Sequence, residues 1–503
     1  MTNFYNQVVL LAVSVGSFNY GYSFGAASTV LGLNSFLEYF DVSLTGSDPS
    51  YASSMQGAIV GIFFAGGFFG SFFFAWLSDR IGRKRALDLV GIVAVVAVIL
   101  STASVHIGMF LVGRIIQGFA GGGLNVICPM FQSEISVAEH RGRNVGLHGF
   151  MFVAGLAVAN WLSLAAYFIT DPVLQWRLVM GLQALAPIIL LALRFWLPES
   201  PRWLILNNRD EEAFETLCKL HDNKDDVDHR LAHEERELIH NQLELDARQD
   251  TSWKGLFTRP STRRRMLLGI FLMFLQQSTG QNVLYGFQVN VLASLGLVKW
   301  QPLLVVSFYV SWAAVLNLVG GVVMDRLGRR TMVLWGLVGS TLATSIHTPL
   351  VIIYGGSDNK VGAGAAVAFL FLFITFFAPG IDVTSYVYGA EIFPTYMRAR
   401  GLSVTIATYF AFAALYVSVS STAQATIGAY FNILFIGLSA INCVIGYYFL
   451  PETKGLSLEA IGMLFGEADE VAHLESRAQG PASRDKSPTE QIRLQAVDNE
   501  KQE

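Results

Sequence analysis

SDRIGRKR, Ser78–Arg85, returns as MDRLGRRT, Met324–Thr331, about 246 residues further along the chain. Each copy follows a long apolar run and precedes another, so each is a charged turn between two hydrophobic stretches. Two more pairs repeat at nearly the same offset. SEISVAEHRGR (Ser133–Arg143) matches AEIFPTYMRARG (Ala390–Gly401), and LPESPRW (Leu197–Trp203) matches LPETKG (Leu450–Gly455). Three matched pairs, each at the same end of the corresponding apolar run, indicate a duplicated half. Two related halves with a site between them is the architecture of many secondary carriers.

About 20 mostly apolar residues carry a helix across the hydrocarbon core. Runs of that kind lie near 8–30, 55–77, 87–105, 107–129, 145–169 and 178–197. A second six follow near 266–293, 301–324, 331–353, 363–388, 402–424 and 428–450. The chain is 53% hydrophobic and 14% charged, with mean hydropathy +0.46, where a soluble chain averages about 25% charged. Asn207–Arg265 and Gly466–Glu503 hold 39 of the 72 charged residues, which leaves two strongly apolar blocks. A backbone in lipid must satisfy its own hydrogen bonds, and these runs lack the alternation of a barrel, so the spans are helices. The expected fold is an all-α membrane protein of twelve transmembrane helices in two pseudo-symmetric six-helix bundles. The expected domains are an N-terminal bundle (1–197), a linker with short amphipathic helices (198–265), a C-terminal bundle (266–465) and a disordered tail (466–503).

Short loops on one side carry eleven Arg and Lys residues, among them Arg80, Arg141, Arg326 and Arg398, against Arg177, Lys299 and Lys360 on the other. The positive-inside rule places the first group in the cytoplasm, together with both termini and the linker. Acids recur beside these bases. Asp79 and Asp325 adjoin Arg83, Arg329 and Arg330, while Glu134 and Glu391 stand seven residues before Arg141 and Arg398. The expectation is a latch of carboxylate–guanidinium pairs between the halves, since a partly buried network can bias two states by a few kcal/mol. Gly57 and Gly61, Gly66 and Gly70, and Gly118 and Gly122 have the spacing of close helix packing and read as scaffold.

Taken together, the doubled D-R-x-G-R, PESPR and PETKG resemble the sugar-porter family of the major facilitator superfamily, over roughly Val8–Phe465. GRIIQGFAGGG (Gly113–Gly123) and PMFQSEIS (Pro129–Ser136) also resemble family signatures. The resemblance implies the major facilitator fold and alternating access. It places Glu199, Arg202 and Glu452 in the ion-pair network on the cytoplasmic side. QQSTGQNVLYG (Gln276–Gly286) resembles the seventh-helix motif whose paired Gln and following Asn bind sugar hydroxyls. An amide offers a donor and an acceptor without placing a charge in the bilayer. Gln276 and Gln277 point about 100° apart on a straight helix, so one of them is expected to face the cavity fully. Asn282, Tyr285, Tyr386 and Phe410 complete the candidate binding residues, with Trp161 as a possible wall.

Some positions depart from the family pattern. FNYGYSFGA (Phe18–Ala26) has Ser23 where proton-coupled members carry an Asp opposite an Arg, here Arg114. Facilitative members likewise lack that acid, so uniport is the leading expectation. Gly149, Ala313, Val383 and Tyr386 replace further customary residues. Asp382 lies deep in the tenth span, where an acid is functional by default. It serves as a proton site, as a hydroxyl acceptor, or as a polar pair packed with Thr384 or Ser385.

The expected function is transport of a small polyhydroxylated solute such as a monosaccharide or polyol. The alternatives are proton symport through Asp382 and Arg114, export of a secondary metabolite, and a transport-inactive nutrient sensor. An enzyme is not expected: the nine His residues form no H-E-x-x-H or other cluster, and His148 and His347 each stand alone. No metal or other cofactor is expected. Cys128, Cys218 and Cys443 have neither disulfide nor metal-ligand spacing. The expected partners are the solute, the lipid bilayer and possible coupling protons, with no nucleic acid. A monomer in the plasma membrane completes the expectation.

Overall fold

The computed structural model describes residues 4–43, 46, 48–136, 141–221, 229–247, 253–394, 397–454, 461 and 464–466. The expected tail beyond 466 lies outside the described residues. Ten described stretches are long and apolar enough to cross a membrane. One of them, Arg398–Phe449, contains two helices, Arg398–Ile427 and Asn432–Phe449. The seventh span is missing from those ten because it is broken into Pro260–Gln277, Gln281–Gly286 and Gln288–Ser294. Counted as chain crossings, the spans are six and six.

In the first bundle these are Phe4–Val30, Pro49–Ile81, Arg83–Thr102, Ile107–Ile135, Arg141–Tyr167 and the pair Pro172–Leu182 with Leu185–Leu193. In the second, the broken seventh span is followed by Gln301–Leu327, Arg329–Tyr354 and a tenth span interrupted by one π-helical turn, Ala378–Asp382. The eleventh and twelfth spans complete it. Starts are signposted locally. Asp48 accepts from the Tyr51 amide ahead of Pro49, and Asp171 accepts from Val173 and Leu174 ahead of Pro172. Between the bundles, helices Asp210–His221 and Arg230–Ala247 pack apolar faces (Ala213, Leu217, Ala232, Ile239) on Trp203, Leu204 and Ile205.

The small residues do what their spacing promises. A Cβ on Gly118 would lie 1.9 Å from the Phe63 carbonyl oxygen, and one on Gly66 2.1 Å from that of Ile115, so the second and fourth spans touch backbone to backbone. Gly57 and Gly61 instead face Ser418 of the other bundle. Replacing Gly118 by valine must drive two helices apart. An overpacking cost of about 1–3 kcal/mol or more is expected, read as a lower thermal unfolding midpoint in detergent.

The bundles meet along two seams. At the second and eleventh spans, the Ser421 hydroxyl donates to the Ser53 carbonyl at 2.6 Å. At the fifth and eighth, the Trp161 indole donates to the Ser311 hydroxyl at 3.0 Å. The ends carrying D-R-x-G-R form the basic face.

Candidate functional site

The seventh span breaks where a helix cannot continue. After Gln277 come Ser278, Thr279 and Gly280, whose φ of +78° is left-handed. A side chain there would also strike the Phe435 ring at 2.7 Å, so glycine is doubly required. The break leaves Gln276 and Gln277 at the end of one helix and Gln281 and Asn282 at the start of the next. All four amides border a central cavity of about 40 Å³. Both paired glutamines face it, where a straight helix would present one. Tyr285, Tyr309, Asp382 and Tyr409 complete its polar lining. The space holds about three waters, so the bundles must part to admit a solute.

These side chains bond to one another and leave capacity unused. Gln276 donates from Nε2 to Asp382 Oδ1 at 2.9 Å, and Asn317 donates to Asp382 Oδ2 at 3.2 Å. Asn282 donates to Gln277 Oε1 at 2.8 Å and to the Tyr409 hydroxyl at 3.3 Å. The Tyr309 hydroxyl donates to Gln281 Oε1 at 3.2 Å. Gln276 Oε1 is buried without a partner among the described residues. Among the described residues no Lys, Arg or His lines the cavity. Neutral donors and acceptors around a single carboxylate suit hydroxyl groups, which both donate and accept.

Of the residues singled out from the sequence, Gln276, Gln277, Asn282, Tyr285 and Asp382 line the cavity. Tyr386 and Phe410 do not. Phe410 packs against Tyr20 and Phe64, and Tyr386 sits with its ring centroid 5.6 Å from that of His148. Trp161 is part of a seam. Asp382 bonds Gln276 and Asn317, while the Thr384 hydroxyl donates to the Pro379 carbonyl instead. His148 does not stand alone: it bonds Ser17 at 2.7 Å and Asn125 at 2.9 Å, tying the first, fourth and fifth spans together. His347 bonds the Ala366 carbonyl. Sequence reasoning missed Gln281, Tyr309 and Tyr409; Gln281 at least stood inside the quoted motif.

Arg114 is fully buried and away from the cavity. It donates to the Ser23 carbonyl at 2.8 Å, to Gln117 Oε1 at 2.7 Å and to the Ile59 carbonyl at 3.3 Å, with its guanidinium 4.6 Å from the centre of the Phe63 ring. The Ser23 hydroxyl accepts from Gln183 at 2.6 Å. Among the described residues no carboxylate pairs with Arg114.

The same construction appears twice on the basic face. Gly82 (φ +96°) and Gly328 (φ +94°) turn the chain into the third and ninth spans, and a Cβ on either would hit the carboxylate of Glu199 or Glu452. Those carboxylates cap the helix starts. Glu199 accepts from the Arg83 and Lys84 amides at 2.8 and 3.2 Å, and Glu452 from those of Arg329 and Arg330 at 2.8 and 3.1 Å. An anion at a helix N-terminus meets unpaired N–H groups and the positive end of the dipole. Burial raises the Glu199 carboxyl from its ordinary pKa.

Beside each cap, one arginine gathers two acids. Arg83 holds Glu134 through two bonds of 2.9 Å and Asp79 at 3.1 Å. Arg329 holds Glu391 at 3.0 and 3.1 Å and Asp325 at 2.8 Å. These pairs brace spans within one bundle, where the sequence suggested pairing between halves. An arginine placed by its own helix start reaches the neighbouring span of its own bundle first. The charge of Arg202 reaches Glu134, and that of Arg400, from the second bundle, reaches Asp79. Arg330 donates to the Tyr447 carbonyl, and Arg398 is buried at the start of its helix. The Arg141 side chain lies outside the described residues.

A model of a family described as "sugar (and other) transporter" matches residues 9–465. The chain belongs to that family. Among curated relatives, the MFS-type transporter criB of Aspergillus cristatus is 30% identical, over 90% of this chain and 92% of its own. The hexose transporter HXT17 of Saccharomyces cerevisiae is 28% identical, over 97% and 87%. The solved xylose transporter XylE from E. coli, in a partially occluded inward-open conformation, superposes with a TM-score of 0.77 over 90% of this chain and 100% of its own, at 19% identity. That likeness bears on the fold. The sugar-transporter family members are membrane carriers, and the chain is an integral, multi-pass member with the all-α major facilitator architecture.

Proposed function

We propose that this carrier moves a monosaccharide, polyol or similar hydroxylated solute by alternating access, as a facilitator. The amide-and-tyrosine cavity around Gln277 and Asn282 carries the reading: its lining matches hydroxyl groups and sits where the two bundles meet. The relatives named as hexose transporters agree with that chemistry. Facilitation is favoured because Arg114 rests on the Ser23 carbonyl with no acid opposite, among the described residues, to be protonated and released. The basic face lies in the cytoplasm with both termini, by the charge bias of the short loops. The protein works as a monomer in the plasma membrane, its 1–197 and 266–465 bundles rocking about the cavity.

Purified protein in liposomes tests this with a panel of radiolabelled sugars and polyols, with and without an imposed pH gradient. Uptake is expected to stop at the external concentration under either condition. In the wild type, uptake at pH 5.5 and pH 7.5 is expected to differ by less than about twofold. Carriage of no hydroxylated compound would end the reading.

One observation favours a second reading, proton symport. Asp382 is a cavity carboxylate held only by amides among the described residues. The same liposomes decide: accumulation above the external concentration that disappears in Asp382→Asn supports symport over facilitation.

A further inference from the structure

The polar lining of the cavity belongs to one bundle. The seventh-span amides, Tyr285, Tyr309, Asp382 and Tyr409 all come from the second bundle. Among the described residues the first bundle presents only Phe24, Phe152, Val153 and Leu156. Its nearby polar groups stand outside the lining: Asn160 donates to the Tyr285 hydroxyl at 2.9 Å and to the Leu156 carbonyl at 2.8 Å, its Oδ1 buried without a partner among the described residues, and His148 lies between Ser17 and Asn125. The wall they leave is apolar and backed. The Phe24 and Phe152 rings lie 14° from parallel with centroids 6.5 Å apart, and Tyr20 stacks behind Phe152 at 4.8 Å. Rings packed on both sides cannot turn away to let a neighbouring polar group in.

We propose that the wall of Phe24, Phe152 and Leu156 makes this carrier select a two-faced solute. The fitting class is a deoxygenated cyclic sugar or polyol, with hydroxyls along the edge toward the second bundle and methyl, methylene or C–H surface toward the first. The inference rests on the carrier reading above and narrows its substrate. A hydroxyl pressed against this wall loses its water and gains no partner, which costs affinity. The discrimination has a ceiling, because an apolar pocket rejects an added hydroxyl by about a hundredfold at most.

The test is competition in liposomes holding the full-length wild-type protein. The tracer is whichever of D-glucose, D-galactose, D-mannose or D-xylose is carried, and the competitors are its monodeoxy analogues, one for each hydroxyl. At least one analogue is expected to compete about tenfold or more better than the parent sugar. Phe152→Gln, or Leu156→Gln if the first variant is unstable, supplies a polar group from the first bundle and is expected to erase that advantage. A parent sugar that competes as well as every analogue against the wild type overturns the inference and leaves the carrier reading standing. If none of the four sugars is carried, the tracer is the polyol or other sugar of the panel that is, and only carriage of no hydroxylated compound at all ends both readings.

Discussion

Glu134→Ala is expected to cost the folded carrier about 3–5 kcal/mol, a loss large enough to lower its thermal unfolding midpoint clearly and to reduce the yield of folded protein. Arg83 is only 7% exposed and Glu134 only 9%, and two 2.9 Å bonds join them. Taking away the acid leaves a guanidinium in a site from which water is largely excluded. Breaking a buried pair from one side is costly for that reason, while replacing both partners by apolar groups is often nearly neutral. The double variant Arg83→Leu/Glu134→Leu should therefore be more stable than Glu134→Ala. Asp79, about half exposed, stays hydrated when its partner is lost. Thermal unfolding in detergent, followed by tryptophan fluorescence, measures all three proteins. A double variant no better than the single would show that the pair is not coupled in this way.

The second large effect is expected at Asp382. Asparagine has nearly the same shape and keeps one acceptor oxygen, but it loses the charge and turns the second oxygen into a donor. That donor would then face a second amide, from Gln276 or from Asn317. Hydrogen bonds to a charged group contribute about 1.5–3 kcal/mol, so solute affinity is expected to fall about ten- to hundredfold. The readout is the KM for uptake, with the maximal rate changing less, because the substitution acts on binding more than on the rocking of the bundles. An unchanged KM with an unchanged pH profile would place Asp382 outside both binding and coupling.

Much of this architecture is written plainly in the chain. Paired D-R-x-G-R turns announce the duplication because a positive-φ glycine, a capping glutamate and a gathering arginine must recur wherever the same helix start is built. The apolar runs locate the spans to within several residues. What the sequence hides is rotation and partner choice. Tyr409 and Phe410 are neighbours, yet the tyrosine lines the cavity and the phenylalanine packs behind it, a difference of about 100° around a helix. Tyr309 looks like any aromatic of an apolar span until Gln281 is found opposite it. The break at Gly280 is what brings the second pair of amides to the cavity, and a periodic reading of a straight helix cannot show it. The acids and bases of the basic face recur visibly, but whether an arginine reaches across the seam or along its own bundle depends on distances that only the folded chain supplies.

Because Arg83 and Arg329 each close on acids of their own bundle, both blocks arrive at every stage of the cycle already braced. Swinging one block against the other need not pull any of these charged contacts apart. What changes at the seams is mostly van der Waals contact, a few hydroxyl, indole or amide bonds and the pull of Arg400 on the half-exposed Asp79, for all of which water is a ready substitute. The barrier to reorientation can therefore stay low while each block remains stiff, the combination a carrier needs for rapid turnover without leaking.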